Sequence, residues 1–112
     1  MESLELEKSK AHIIVEIIEY VPNSIVTRSI IKKTTGNISV VSFYTGEALS
    51  KKIIPFDTFV QIIEGKSEIV IDGISNLLDT GQSIVIPAHS AHSVKANERF
   101  KMISTIIKNG YE

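Results

Sequence analysis

Residues 46–65 read GEALSKKIIPFDTFVQIIEG, and residues 81–96 read GQSIVIPAHSAHSVKA. The Asp72-Gly73 pair lies between these two segments and suits a tight hairpin, because both residue types tolerate a positive φ. Within and around the segments, short runs rich in Ile, Val, Thr and Phe follow one another. This texture is typical of β-strands joined by tight turns.

The same texture extends outward over most of the chain. We predict strands over residues 24–32, 37–44, 59–63, 67–71, 83–86 and 100–107. Turn residues separate these runs at Thr35-Gly36-Asn37, Glu64-Gly65, Asp72-Gly73 and Thr80-Gly81. Many closely spaced short strands with such turns indicate an antiparallel sandwich or barrel, and hence an all-β fold.

The N-terminal segment has a different pattern. Between residues 4 and 21, apolar residues recur at helical spacing, namely Ile14, Ile17, Ile18 and Val21. The breaker pair Pro22-Asn23 ends this pattern. We therefore predict one short N-terminal helix, with residues 1–22 packing on the barrel and residues 23–112 forming it.

Composition narrows the class of protein. The 112 residues suit one domain, since two separate cores would each be too small to offset chain entropy. The net charge of -1 offers no positive field for nucleic acid or anionic lipid, and no apolar stretch is long enough to cross a bilayer. The chain has no cysteine, and MESLELEKSK lacks the apolar core of a signal peptide. We expect a cytoplasmic protein without nucleic-acid or membrane partners.

The apolar runs also predict an assembly. Residues 59–63 and 69–71 place apolar side chains on both faces of a strand, so the outer face of the sheet needs a cover. One short helix covers only part of it. We therefore expect a two-fold symmetric homodimer that packs sheet to sheet.

The two segments quoted first resemble the two conserved motifs of the cupin family. Gly46 and Gly65 fit the ends of the first motif, and Gly81, Pro87 and His92 fit the second. Residues 20–108 look like the small single-domain cupins of the conserved-barrel (cupin-2) type. This resemblance implies a double-stranded β-helix, or jelly roll, around a pocket in which family members hold a divalent metal with two histidines, a glutamate and a later histidine.

Residue by residue, the resemblance implies a degenerate metal site. The two histidine positions of the first motif hold Lys52 and Ile54, and its glutamate position holds Thr58. His92 is the ligand that remains, while His89 stands where the second motif has a glycine. A single imidazole cannot hold a catalytic metal, which needs about three protein ligands. We predict no metal cofactor; the alternative is a divalent transition metal held by His89 and His92.

The leading functional hypothesis is a non-catalytic cupin barrel that binds a small, anionic molecule in its pocket. We expect Lys52, Thr58 and His92 to supply the polar contacts, and the apolar wall to consist of Ile54, Phe56 and Met102. One alternative is a metal-dependent enzyme, similar to an isomerase or a dioxygenase, that uses His89 and His92. Another is a structural or interaction module whose barrel is filled by side chains.

Overall fold

A computed structural model describes residues 5–110 of the chain. The all-β prediction is confirmed, because eight strands carry nearly all the regular structure. The strands are β1 (Ile25–Lys33), β2 (Gly36–Phe43), β3 (Ala48–Ile53), β4 (Thr58–Ile71), β5 (Ile74–Asp79), β6 (Ser83–Ile86), β7 (Ala91–Lys95) and β8 (Phe100–Ile107). Within residues 5–110, no helix is long and apolar enough to cross a membrane.

The strands form one curled sheet that makes a half-barrel, consistent with the predicted barrel. The order along the sheet is β1-β2-β8-β4-β7-β3, and all the pairings are antiparallel. The long strand β4 belongs to both halves of the sheet. Its first part pairs with β6 and β8, and its second part pairs with β5 and β7. The concave side is thus lined by residues from both halves.

One predicted turn is wrong, because β4 continues through Glu64-Gly65. The register between β4 and β8 shifts between Ile62 and Glu64, and Gly65 adopts a φ of 86°. A bulge of this kind absorbs an irregular backbone conformation while the strand goes on beyond it. The predicted strands 59–63 and 67–71 are therefore parts of one strand.

The predicted N-terminal helix is also wrong. Among residues 5–24, the helical structure is a single 3-10 turn at Ile14–Glu16; Leu4, where the predicted helix starts, lies outside the described residues. Ile13 precedes the turn in an extended conformation and makes no side-chain cap. A run of β-branched residues, Ile13-Ile14-Val15 and Ile17-Ile18, loses side-chain freedom in a helix, which weakens helix formation here.

Residues 5–24 instead form a strap across the outer face of the sheet. Side chains of the sheet donate hydrogen bonds to main-chain oxygens of the strap. Lys101 Nζ binds the Val15 oxygen at 2.7 Å, and Ser42 Oγ binds the Glu19 oxygen at 2.9 Å. Arg28 binds the oxygen of Ile17 at 3.0 Å. The strap therefore takes the covering role that the helix was expected to have.

Tyr20 fixes the end of the strap to the sheet. Its hydroxyl donates to Glu64 Oε2 at 2.6 Å, while Arg99 and Lys101 lie 4.7 and 4.9 Å from the ring centroid. Burial, followed by the hydrogen bond to Glu64, raises the pKa of Tyr20 above its ordinary value. The tyrosine stays neutral and combines a hydrogen bond with cation-π contacts.

The outer face keeps an apolar row beyond the strap. Register places Val85, Phe59, Thr105, Ile38 and Ile31 side by side across five strands. Phe59 is 41% exposed and Val85 is 55% exposed. An exposed apolar row of this width is where a second copy would pack, and the sheet-to-sheet homodimer stays a prediction.

Candidate functional site

The concave side of the half-barrel contains a cavity of about 70 Å³, here called the inner cavity. Its floor is the hydrophobic core, in which Phe43, Phe100, Ile62 and Ile69 are completely buried. The rings of Phe43 and Phe100 stack with centroids 4.5 Å apart. The tightly packed core therefore closes the cavity on one side.

The structure brings five of the six predicted site residues to this cavity: Lys52, Ile54, Thr58, His92 and Met102. The sixth, Phe56, is half-buried but does not line it. The two halves of the sheet both contribute, since Lys52 and His92 come from β3 and β7, whereas Thr58 and Met102 come from β4 and β8.

Lys52 reaches the cavity because of a β-bulge in β3. Leu49 pairs with Val94 and Lys52 pairs with His92, so β3 has one residue more than β7 between these pairs. Simple alternation would place Leu49 and Lys52 on opposite faces, but the extra residue brings both to the concave side. Lys52 remains exposed overall and therefore stands at the solvent side of the cavity.

Ser104 is a polar lining residue that the sequence reasoning missed. It lies between Met102 and Ile106 on β8, and all three line the cavity with the two-residue period of a strand. Once Met102 is assigned to the concave side, alternation alone predicts Ser104 there.

Two buried polar atoms at the cavity have no hydrogen-bond partner among the described residues: Thr58 Oγ1 and His92 Nδ1. Thr58 is 4% exposed and His92 is 5% exposed. Buried polar groups are nearly always hydrogen-bonded, and leaving one unpaired costs about 1–3 kcal/mol. These two atoms are available to a small molecule that contains a hydrogen-bonding group.

A positively charged side chain, Lys52, lines the cavity and acts on His92. The pKa of His92 lies below its ordinary value, first because of burial and second because of the nearby positive charge of Lys52. The main chain of Ser90 opposes this shift only in part. The ion pairs of the described residues use Lys10, Lys33 and Lys66, and none uses Lys52. At neutral pH the cavity therefore combines a neutral imidazole with a lysine whose charge is not offset by an ion pair.

The lowered pKa of His92 predicts a pH dependence of stability. Below about pH 6.5, the unfolded chain binds a proton at His92 more readily than the folded protein does. The free energy of unfolding should therefore be highest above this pH and fall as the pH drops toward the folded pKa. We expect His92→Leu to remove this component and His89→Asn, at an exposed histidine, to retain it. Urea unfolding from pH 5 to 8 tests this; the same slope in wild type and His92→Leu would contradict it.

Few potential metal ligands lie together in the described part of the chain. Among residues 5–110, no group of three or more His, Cys, Asp or Glu side chains is placed to hold a metal ion. His92 faces the cavity, whereas His89 is exposed and adopts a φ of 69° at the position of the motif glycine. A site using His89 and His92 would need further ligands from elsewhere, and the expectation of a metal-free protein stays a prediction.

Fold and cavity together define the class: a small all-β protein whose curled sheet surrounds an inner cavity. No family model matches the sequence, and no curated protein matches it. Solved structures do. A conserved protein of unknown function from Streptococcus pyogenes is 26% identical, with a TM-score of 0.90 and coverage of 99% of this chain and 98% of that one.

Two further structures carry the family description. A cupin superfamily protein from Desulfitobacterium hafniense is 25% identical, with a TM-score of 0.87, covering 94% of this chain and 96% of that one. A cupin 2 conserved barrel domain protein from Leptotrichia buccalis is 30% identical, with a TM-score of 0.81, covering 84% of this chain and 46% of that one. The chain has a cupin-type barrel, and the resemblance to the cupin family that the sequence predicted is confirmed.

Proposed function

We propose that this protein binds a small anion in the inner cavity and does so without catalysis. The observation that carries the proposal is the pair of buried, unpartnered polar atoms, Thr58 Oγ1 and His92 Nδ1, at the cavity that Lys52 also lines. A bound anion would accept a hydrogen bond from the Thr58 hydroxyl, and from His92 in the tautomer that carries its proton on Nδ1, and would compensate the lysine charge.

The lining residues support binding rather than reaction. Among residues 5–110, no Asp or Glu lines the cavity, so the described part of the chain offers His92 no carboxylate there to orient it as a general base. Lys52 pairs with His92 in the register of β3 and β7. This pairing places a positive charge at the position where a metal ion in a metal-binding cupin would attract an anion. We infer that Lys52 takes the place of the metal as the anion-attracting group.

Replacing Lys52 with methionine tests the proposal. Methionine keeps most of the bulk of the lysine stem and loses the charge, so we expect affinity for acetate or phosphate to fall by about 1.5–3 kcal/mol, the range for a hydrogen bond to a charged group. Isothermal titration calorimetry of both proteins measures the change. Lys51→Met is the matched control, because Lys51 is exposed and does not line the cavity. Equal affinity in wild type and Lys52→Met, or no binding to either, would contradict the proposal, and the latter would favour a structural module.

A further inference from the structure

We propose that the chain has a second binding site, for a short aliphatic diamine such as cadaverine, beside the hairpin of β4 and β5. The site is a pocket of about 320 Å³, here called the hairpin pocket, between this hairpin and the loop that joins β7 to β8. The hairpin pocket shares no lining residue with the inner cavity. The two sites are therefore independent of each other.

The hairpin pocket lies at a gap in the sheet. The pairs between β4 and β7 end at Glu68, and the pairs between β4 and β8 end at Gly65. Within the described part of the chain, residues 66–67 thus pair with β5 but have no strand on their other side. The loop of residues 96–99 crosses this gap. A pocket forms where the loop replaces a strand.

The loop is anchored on both sides of Glu98, whose side chain lines the pocket. Asn97 Nδ2 donates a hydrogen bond to Glu68 Oε1 at 3.2 Å, and the main-chain N–H of Arg99 donates to Thr45 Oγ1 at 3.0 Å. The main chain around Glu98 is therefore fixed before a ligand arrives. Such preorganisation lowers the entropy cost of binding.

A buried hydroxyl group at the hairpin pocket has no partner. Ser67 lines the pocket and is 3% exposed, and its Oγ atom has no hydrogen-bond partner among the described residues. Leu78 pairs with Ser67 in the sheet register, lines the same pocket and is 6% exposed. Buried polar groups are nearly always hydrogen-bonded, so Ser67 indicates a ligand with a hydrogen-bonding group.

The hairpin pocket has an excess of negative charge. Three carboxylates line it, those of Glu68, Asp79 and Glu98, against the one ammonium group of Lys66, which leaves two negative charges. Lys66 Nζ lies 3.8 Å from Asp79 Oδ1, whereas no ion pair of the described residues uses Glu68 or Glu98. Hydrogen bonds to its carboxylate, first from Ser75, hold the pKa of Glu68 below its ordinary value. Two charged carboxylates therefore lack a cation.

The arrangement of the carboxylates suits an organic cation better than a metal ion. Among residues 5–110, no group of three or more His, Cys, Asp or Glu side chains is placed to hold a metal. The carboxylates of the pocket come from three separate segments, β4, β5 and the loop of residues 96–99. A diamine has two separated positive charges, which match the two negative charges in excess.

The size and the apolar lining suit the methylene chain of such a ligand. An apolar cavity of about 150 Å³ accommodates benzene, so the hairpin pocket has room for a short diamine. Leu77 and Leu78 both line the pocket, and methylene groups gain free energy when they leave water for such a surface. An ammonium group donates three hydrogen bonds, which lets it bind a carboxylate and the Ser67 hydroxyl together.

Amide NMR spectra recorded during a titration with cadaverine test the site directly. We expect weak binding, with the largest shifts at residues 66–68, 77–79 and 97–98. Pentylamine, which has one charge less, should bind about two- to fivefold more weakly, as expected for loss of one exposed ion pair. Pentanol should bind more weakly still. Shifts that avoid these residues, or equal affinity for all three compounds, would overturn the proposal.

Glu98→Gln keeps the shape of the side chain and removes one of the two unpaired charges. Cadaverine should bind this variant about two- to fivefold more weakly and lose its advantage over pentylamine. Glu16→Gln is the matched control, because Glu16 is exposed on the strap and does not line the pocket. An equal loss of affinity in Glu98→Gln and Glu16→Gln would show non-specific attraction to a negative surface and would contradict a defined site.

Ser67→Ala tests the bottom of the hairpin pocket. We expect affinity for cadaverine to fall about tenfold, near the lower end for a hydrogen bond to a charged group. Thermal stability should not fall, because the hydroxyl has no partner among the described residues of the free protein. Unchanged affinity, or a lower melting temperature without a change in affinity, would give Ser67 a structural role and overturn the site.

Discussion

Replacing Gly65 with alanine is expected to lower the free energy of unfolding by about 3 kcal/mol. Gly65 adopts a φ of 86° within β4, a conformation that costs other residues about 1–2 kcal/mol. A Cβ atom there would also lie 2.6 Å from the main-chain oxygen of Arg99 and 3.0 Å from Phe100 Cβ. The closer neighbour is a main-chain atom of the residue that precedes β8, and it cannot move aside like a flexible side chain, so overpacking adds a comparable cost.

Gly81→Ala separates these two costs. Gly81 has a similar φ of 91°, but a Cβ atom built there meets nothing within 4 Å. We expect this control to lose only the conformational part, about 1–2 kcal/mol. Urea denaturation of the two variants beside wild type gives both losses. If Gly65→Ala and Gly81→Ala lose the same amount, the contact with Arg99 and Phe100 has no energetic weight.

Phe100→Ala is the second change with a large expected effect, a loss of about 3–5 kcal/mol. The ring is completely buried and stacks on Phe43 with an interplanar angle of 10°, so truncation leaves a cavity in the centre of the core and removes an aromatic contact. Phe100 belongs to the same core cluster as Val94 and Met102, which line the inner cavity.

The matched control is Phe59→Ala on the outer face. Phe59 is 41% exposed, so its truncation removes less buried area and should cost about half as much or less. Thermal and urea unfolding at equal protein concentration compare the two variants. Equal losses in the free energy of unfolding for Phe59→Ala and Phe100→Ala would contradict the placement of Phe100 in the core.

Sequence patterns predicted the strands that carry large apolar residues. The predicted strands 24–32, 37–44, 83–86 and 100–107 match β1, β2, β6 and β8 to within a residue. Three strands were missed: β3 (Ala48–Ile53), β5 (Ile74–Asp79) and β7 (Ala91–Lys95). Their sequences ALSKKI, ISNLLD and AHSVK contain Lys, Ser, Asn, Asp and Ala, which have low strand preference. These strands exist because they pair with neighbours, and pairing is a property of the whole sheet.

The N-terminal helix failed for a related reason. Four apolar residues do recur at helical spacing, but β-branched side chains weaken a helix. The main-chain oxygens at positions 15, 17 and 19 instead accept hydrogen bonds from side chains of the sheet. Local periodicity carries no information about Ser42, Arg28 or Lys101, which lie far away in the chain. The competition was decided by tertiary contacts.

The positions of residues within the two motifs predicted correctly which side chains meet at the candidate site. They did not predict the hydrogen-bonding state of those side chains or the size of the cavity. Lys52, Thr58 and His92 meet at one cavity, as their places in the two motifs implied, whereas Phe56 does not line it. The bulge that turns Lys52 inward, the unpaired state of Thr58 Oγ1 and His92 Nδ1, and the small volume could not be predicted. Each depends on distances between strands that a sequence does not contain.

The hydrogen bonds between the strap and the sheet tolerate substitution differently at their acceptor residues and at their donor residues. Its acceptors are carbonyl oxygens at Val15, Ile17 and Glu19, and every amino acid carries the same carbonyl group. The donors are the side chains of Lys101, Arg28 and Ser42, which only a few residue types can imitate. Homologous chains could therefore diverge at these three acceptor positions while keeping the donors, whereas the strap positions that act through their side chains, Tyr20 and the buried Leu6 and Ile18, are constrained.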